Sequence, residues 1–192
     1  VLAHFARNAV VYQQARSPAP LTMPAMAAVM TGRYPHAVGI TGHSRGDRLS
    51  PDVKTLTALA RRAGYRTAAV VTNPWLAHPA SGFARDFETF VSGRTLGRER
   101  ARMSASDVVD QAVRILETDD ARPTFLWVHF LDAHMPYTDG EIETRITRDF
   151  ARSTAARSRI FFEAPYSTAD VDATRDAYDA AIARIDAALG RL

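Results

Sequence analysis

Eight residues, Thr124 to Leu131 (TFLWVHFL), constrain the fold more than any other stretch of the chain. The run is nearly all apolar, as a β-strand with both faces covered has to be. Strands of that kind belong to parallel sheets with helices packed on each side. No continuous apolar run in the chain is long enough to span a bilayer, so no transmembrane segment is expected.

The surrounding pattern supplies helices and further strands. Ala9 to Gln13 (AVVYQ) is rich in β-branched and aromatic residues and predicts a strand, broken by Ser17 to Pro20 (SPAP). Thr22 to Thr31 (TMPAMAAVMT) predicts a helix with Thr22 as candidate N-cap, Pro24 in the first turn and Gly32 as the stop. A loop-like stretch with Gly39, Gly42 and Gly46 follows, then a helix over Thr55 to Ala63 and a strand over Arg66 to Thr72. Ser81 to Arg102 reads as mixed loop. Ala105, Val108, Val109, Ala112, Val113 and Leu116 recur at helical spacing behind a capping Ser104. Asp132 to Ser167 lacks clear periodicity, as functional insertions often do. Asp172 to Leu192 predicts a closing helix with Tyr178, Ile182, Ile185, Leu189 and Leu192 on one face. The expected fold class is α/β, a mostly parallel sheet sandwiched by helices. The chain opens inside a predicted helix, Leu2 to Arg7, and reads as part of a longer protein.

Composition removes several chemistries. The chain has 192 residues and no cysteine, which excludes disulfides, thiolate metal sites and a cysteine nucleophile. Its 24 basic residues include a single lysine, Lys54, and the arginines lie scattered among 21 acids for a net charge of +3. That distribution lacks the clustered patch of a nucleic-acid binder, so none is expected as a partner. No histidine pair has the spacing of a helical zinc site.

Ligands of parallel sheets bind outside the carboxyl ends of the strands. The expected strands put Thr22, Asn73 and His134 at one such edge, where a hydroxyl at a helix start, an amide and an imidazole suit an anionic ester. Unpaired N–H groups at a helix start stabilise negative charge developing on the Thr22 oxygen, although a neutral hydroxyl needs a base or a metal ion to ionise it. An ordinary N-cap is the other reading of Thr22. His134, in DAHMPY, is placed to serve a bound oxyanion or a leaving group, or to bond its own backbone. Asn73 before Pro74 suits either a substrate oxygen or an Asx turn. His43 lies in the glycine-rich loop, which can fold back over the helix start, and a solvated histidine is the alternative. Arg33 suits an anion or a helix C-terminal cap. His129, inside the apolar run, reads as a satisfied core histidine.

The sequence resembles the sulfatases of the alkaline phosphatase superfamily. The likeness rests on Ala19 to Ile40 (APLTMPAMAAVMTGRYPHAVGI), Leu59 to Thr67 (LARRAGYRT), Gly82 to Phe90 (GFARDFETF), Phe125 to Tyr137 (FLWVHFLDAHMPY) and Tyr178 to Leu192 (YDAAIARIDAALGRL), in the expected order. The family's first motif reads Cys or Ser, any residue, Pro, Ser, Arg, and its lead residue becomes formylglycine. Here Thr22, Met23, Pro24, Ala25 and Met26 stand there, so the resemblance implies no formylglycine. It implies instead the Thr subgroup, whose hydroxyl is itself the attacking group, bound to a divalent metal. His134 matches the substrate-contacting histidine before proline. Asn73 stands at the lysine and Trp75 at the histidine of a Gly-Lys-Trp-His motif, while His43 stands where some phosphodiesterase relatives have Asn.

The resemblance implies one partial sulfatase-like catalytic domain over 1–192, with the first strand and a late metal-binding strand outside it. The expected function is metal-dependent hydrolysis of sulfate or phosphate esters, with a small anionic ester as substrate and this fragment itself inactive. The cofactor is a divalent cation (Ca, Mg, Mn or Zn), bound by Thr22 with its remaining ligands outside the chain. A phosphodiesterase or phosphotransferase on the same fold, or a degenerate non-catalytic domain, are the alternatives. Family members are often periplasmic, extracellular or membrane-associated, and the sequence assigns no compartment.

Overall fold

A computed structural model describes residues 1–42, 44, 46–97, 103–137, 144–152 and 166–192. Its sheet has three parallel strands in the order β2-β1-β3, with β1 Arg66–Val71, β2 Thr89–Ser92 and β3 Thr124–His129. Ala68 of β1 pairs with Thr89 on one side and Leu126 on the other. The helices are α1 Leu2–Ala6, α2 Thr22–Thr31, α3 Leu56–Arg62, α4 Pro74–Ala77, α5 Ala105–Leu116, α6 Arg145–Arg152 and α7 Thr168–Leu189. The α/β expectation holds: helices flank both faces of a parallel sheet.

Alternation along β1 divides the core. Ala69 and Val71 turn to one face, against Met23, Ala27 and Met30 of α2 together with Ile40, Leu76 and Phe83. Ala68 and Val70 turn to the other, against Val108, Ala112 and Ile115 of α5. All six residues of β1 are buried because it has a neighbour on each side. In β3 the alternation repeats, with Trp127 on the α2 face and Leu126 and Val128 on the α5 face. The apolar run thus has both faces covered, but every residue of β3 is only half-buried because the strand lies at the edge of the sheet.

Helix ends follow their local chemistry. Ser104 and Ser167 each form a capping box, with Asp107 and Asp170 respectively. Gly32 closes α2 at φ 64°, with its N–H donating to the Ala28 carbonyl at 2.8 Å. At φ 81°, Gly82 passes so near the 49–53 loop that a Cβ there would lie 2.8 Å from the Leu49 carbonyl oxygen. Arg85 holds the same loop through the carbonyls of Ser50 and Val53.

Four sequence expectations need correction. Ala9 to Gln13 forms no strand: Val10 and Tyr12 are each 80% exposed, and no strand among the described residues pairs with them to supply a ladder. Thr89–Ser92, expected as loop, is the edge strand β2; four residues are too few to show a period. Arg145–Arg152, in the stretch without apparent periodicity, is helical. The last helix starts at Thr168 and buries Ala177, Ala181 and Ala188, whereas Tyr178 and Leu192 of the expected stripe are exposed. Small residues let α7 lie close against Ala105 and Val109 of α5.

Candidate active site

A cavity of about 540 Å³ opens beyond the carboxyl ends of β1 and β3, and Thr22, Asn73, His129 and His134 all line it. Three of the residues expected at one sheet edge therefore do share it. The route differs from the expected one for Thr22, since residues 9–13 form no strand: the packing of Met23, Ala27 and Met30 against β1 carries α2 to that edge. Leu21, not Thr22, is the N-cap of α2, and it makes no side-chain cap bond. Thr22 is the half-buried first residue of the helix, so its hydroxyl is not spent as the cap.

Asn73 follows β1 and is 4% exposed. Its Oδ1 accepts from the N–H groups of Trp75 at 2.9 Å and Leu76 at 3.4 Å, capping α4. The carbonyl end thus makes the turn, and the NH₂ end remains the donor a ligand can use.

His134 is exposed, in the turn after β3, where its N–H donates to the Leu131 carbonyl at 3.0 Å. Its Nδ1 lies 2.5 Å from the Met135 carbonyl oxygen. A carbonyl only accepts, so Nδ1 carries the proton and Nε2 is the atom that can exchange one. The Met135–Pro136 peptide is cis. The turn is fixed from below by Asp132, 5% exposed, whose Oδ1 accepts from the Ala105 N–H of α5 at 2.8 Å. It is fixed from the side by Tyr137, whose ring meets Tyr178 of α7 edge-on at 5.9 Å.

His129 corrects the expectation of a satisfied core histidine. It ends β3, lines the same cavity, and leaves a buried Nδ1 with no hydrogen-bond partner among the described residues. Burial, then the nearby His134, hold its pKa below the usual histidine value, so the ring is neutral. A polar residue inside an apolar run at a strand's carboxyl end was the available signal.

The other expected site residues are not gathered here. Arg33 is exposed just past the far end of α2, about 15 Å along the helix axis from Thr22. His43 lies outside the described residues. Met26 lines the cavity on the α2 side and offers it no charge. Among the described residues no group of three or more His, Asp or Glu is arranged to hold a metal ion. The cavity residues alone therefore do not fit a divalent cation.

A parallel α/β sheet with a cavity at its carboxyl edge, into which a few polar side chains converge, is the class that fold and site define. The family model described as Sulfatase matches residues 1–192, and the chain belongs to the sulfatase family. It is similar to the crystal structure of Ps i-CgsB in complex with k-i-k-neocarrahexaose, at 18% identity and a TM-score of 0.51, over 91% of this chain and 46% of that one. It also matches the structure of BT4656 in complex with its substrate D-Glucosamine-2-N, 6-O-disulfate, at 18% identity and a TM-score of 0.48, over 79% of this chain and 30% of that one. The chain spans about half the length of the first of these structures. No curated protein matches it. Among the described residues no helix is long and apolar enough to cross a membrane.

Proposed function

We propose that this chain carries part of the catalytic site of a sulfatase-like hydrolase acting on a small anionic ester, with Thr22 as the nucleophile. The observation that supports it best is the shared cavity, which Thr22 enters from a helix start and His134 from the turn after β3. Thr22 Oγ1 forms a bond to the sulfur or phosphorus, and the bond to the organic oxygen breaks. The hydroxyl proton is lost to solvent, and imidazolium Nε2 of His134 supplies the proton that the leaving oxygen takes up. Water then cleaves the Thr22 ester, returning the hydroxyl and releasing the inorganic anion. The Asn73 NH₂ donates to an anionic oxygen, and the N–H groups at the start of α2 favour negative charge there.

Thr22→Ala in the full-length protein is expected to lower kcat at least about a hundredfold. Unchanged hydrolysis would leave Thr22 without a catalytic role, and no hydrolysis by the wild-type protein with its metal present would favour a non-catalytic domain. Asn73 and Trp75 at the positions of two family cations favour a phosphoester as the second reading. Assays against aryl sulfate, phosphate monoester and phosphate diester decide between them, with a dominant diester activity replacing the sulfatase assignment.

A divalent cation enters the proposal only for the whole protein, with ligands beyond the described residues. Chelation is expected to abolish hydrolysis by the full-length protein, whereas the 192-residue chain is expected to retain no stoichiometric metal on equilibrium dialysis. Stoichiometric metal on the short chain would refute that division of ligands.

A further inference from the structure

Two imidazoles line the cavity at Thr22, and the proposed hydrolysis uses only that of His134. No Asp, Glu, Lys or Arg among the described residues joins them there. The direction of the His129 side chain follows from the strand that carries it. Side chains alternate along a strand, so Trp127 and His129 leave β3 on the same face. Trp127 packs against the cluster that holds Met23, Ala27 and Met30 of α2, and His129 pairs in register with Val71, a member of that cluster. The His129 ring therefore projects toward α2 at the carboxyl end of the sheet, where Thr22 begins the helix. Two contacts fix it. The rings of Trp127 and His129 meet nearly at right angles with centroids 6.0 Å apart, and the Thr72 hydroxyl donates to the His129 carbonyl at 3.3 Å.

One nitrogen of that ring is enclosed: Nδ1 is buried and has no partner among the described residues. A neutral imidazole has one proton and one lone pair to divide between its nitrogens. A buried N–H without an acceptor is rare in proteins, so the lone pair belongs on Nδ1 and the proton on Nε2. Resting on the proposed hydrolysis at Thr22, we infer that His129 is a substrate-binding residue whose Nε2–H donates to an anionic oxygen of the bound ester. With the Asn73 NH₂ and the N–H groups at the α2 start it makes a set of uncharged donors around one cavity. An uncharged donor suits this position, because a second cation would repel the His134 imidazolium that supplies the leaving oxygen with its proton. His129 holds the anion and passes no proton.

Calorimetric binding of inorganic sulfate and of inorganic phosphate to the full-length protein, with its metal present, tests the inference without turnover. His129→Phe keeps a ring against Trp127 but removes the donor, and its affinity for whichever anion binds wild type more tightly is expected to fall at least about tenfold. His129→Gln places an amide N–H near the Nε2 position and is expected to stay within about threefold of wild type. In nitrogen NMR spectra of the histidine-labelled wild-type protein, the His129 proton is expected on Nε2, and its signal should move when the anion is added. Wild-type affinity in His129→Phe, a Gln variant as weak as Phe, a proton on Nδ1, or no binding of either anion to wild type would each overturn the assignment. Neither readout involves hydrolysis, so failure of this contact is distinguished from failure of Thr22 as the nucleophile.

Discussion

Asp132 links the stability of α5 to the placement of His134, and replacing it separates two opposed effects. Its Oδ1 accepts from the Ala105 N–H at 2.8 Å, while Oδ2 is buried with no partner among the described residues. Losing a bond from a helix-start N–H to a charged acceptor costs about 1.5 to 3 kcal/mol. Removing the orphaned oxygen returns about 1 kcal/mol or more, but the truncation strands the Ala105 N–H in a buried position. The net for Asp132→Ala is about 2 kcal/mol destabilising, a Tm lower by about 4 to 8 °C for a chain of this size. Asp132→Asn keeps the acceptor and is expected to fall between wild type and Ala. The turn that carries His134 loses its anchor in the Ala variant, so kcat at 25 °C should drop at least about tenfold although the protein is folded. Thermal melting paired with hydrolysis kinetics in the full-length protein provides the measurement. A Tm within 1 °C of wild type together with unchanged kcat, or an Asn variant as impaired as Ala, would refute the assignment of Asp132 as the anchor.

Two further outcomes follow from local geometry. Gly82→Ala forces a left-handed φ of 81° on a residue whose Cβ meets the Leu49 carbonyl oxygen at 2.8 Å, and the expected cost is about 2 to 5 kcal/mol; a denaturant midpoint equal to wild type would show that the 49–53 loop gives way freely. Arg122, bonded to Asp120 at 2.8 Å, holds that carboxyl at about 2 rather than 3.8; the depressed value means the pair stabilises the fold above pH about 4 and loses that contribution as pH falls toward about 2. Arg122→Gln should return the Asp120 titration, followed by NMR, toward 3.8, and a midpoint still near 2 would assign the shift elsewhere.

Elements with a redundant signal were legible in the sequence. The α5 helix combines a capping box at Ser104 with a stripe of buried residues, and β1 is a short apolar run that begins after a glycine turn. Each is specified by its own residues and by its burial together. The strand expected at Ala9 to Gln13 had propensity alone, and propensity yields no strand without a neighbour to pair with. The edge strand β2 has the reverse problem, since its pairing with Ala68–Val71 is non-local and four residues cannot announce it. In α7 the bulky residues suggested the buried stripe, yet the residue buried against Ala105 and Val109 of α5 is Ala188, with Ile185 of that stripe only half-buried beside it, a property of the pair of helices rather than of either one.

The site was legible for the same physical reason that the sheet was. Side chains beyond the carboxyl ends of parallel strands converge whatever connects them, so Asn73 and His134 could be placed from β1 and β3 alone. Thr22 reaches the same edge through a different cause, the fit of Met23, Ala27 and Met30 against Ala69 and Val71. Replacing the small Ala27, fully buried at 0% exposure, with leucine would therefore press α2 away from the sheet. The rigid helix would carry its first residue along, displacing Thr22 relative to Asn73 and His134, which stand on separate supports. A cavity lined by side chains on separate supports is the part of the site most exposed to core packing, because its shape depends on how those supports fit together.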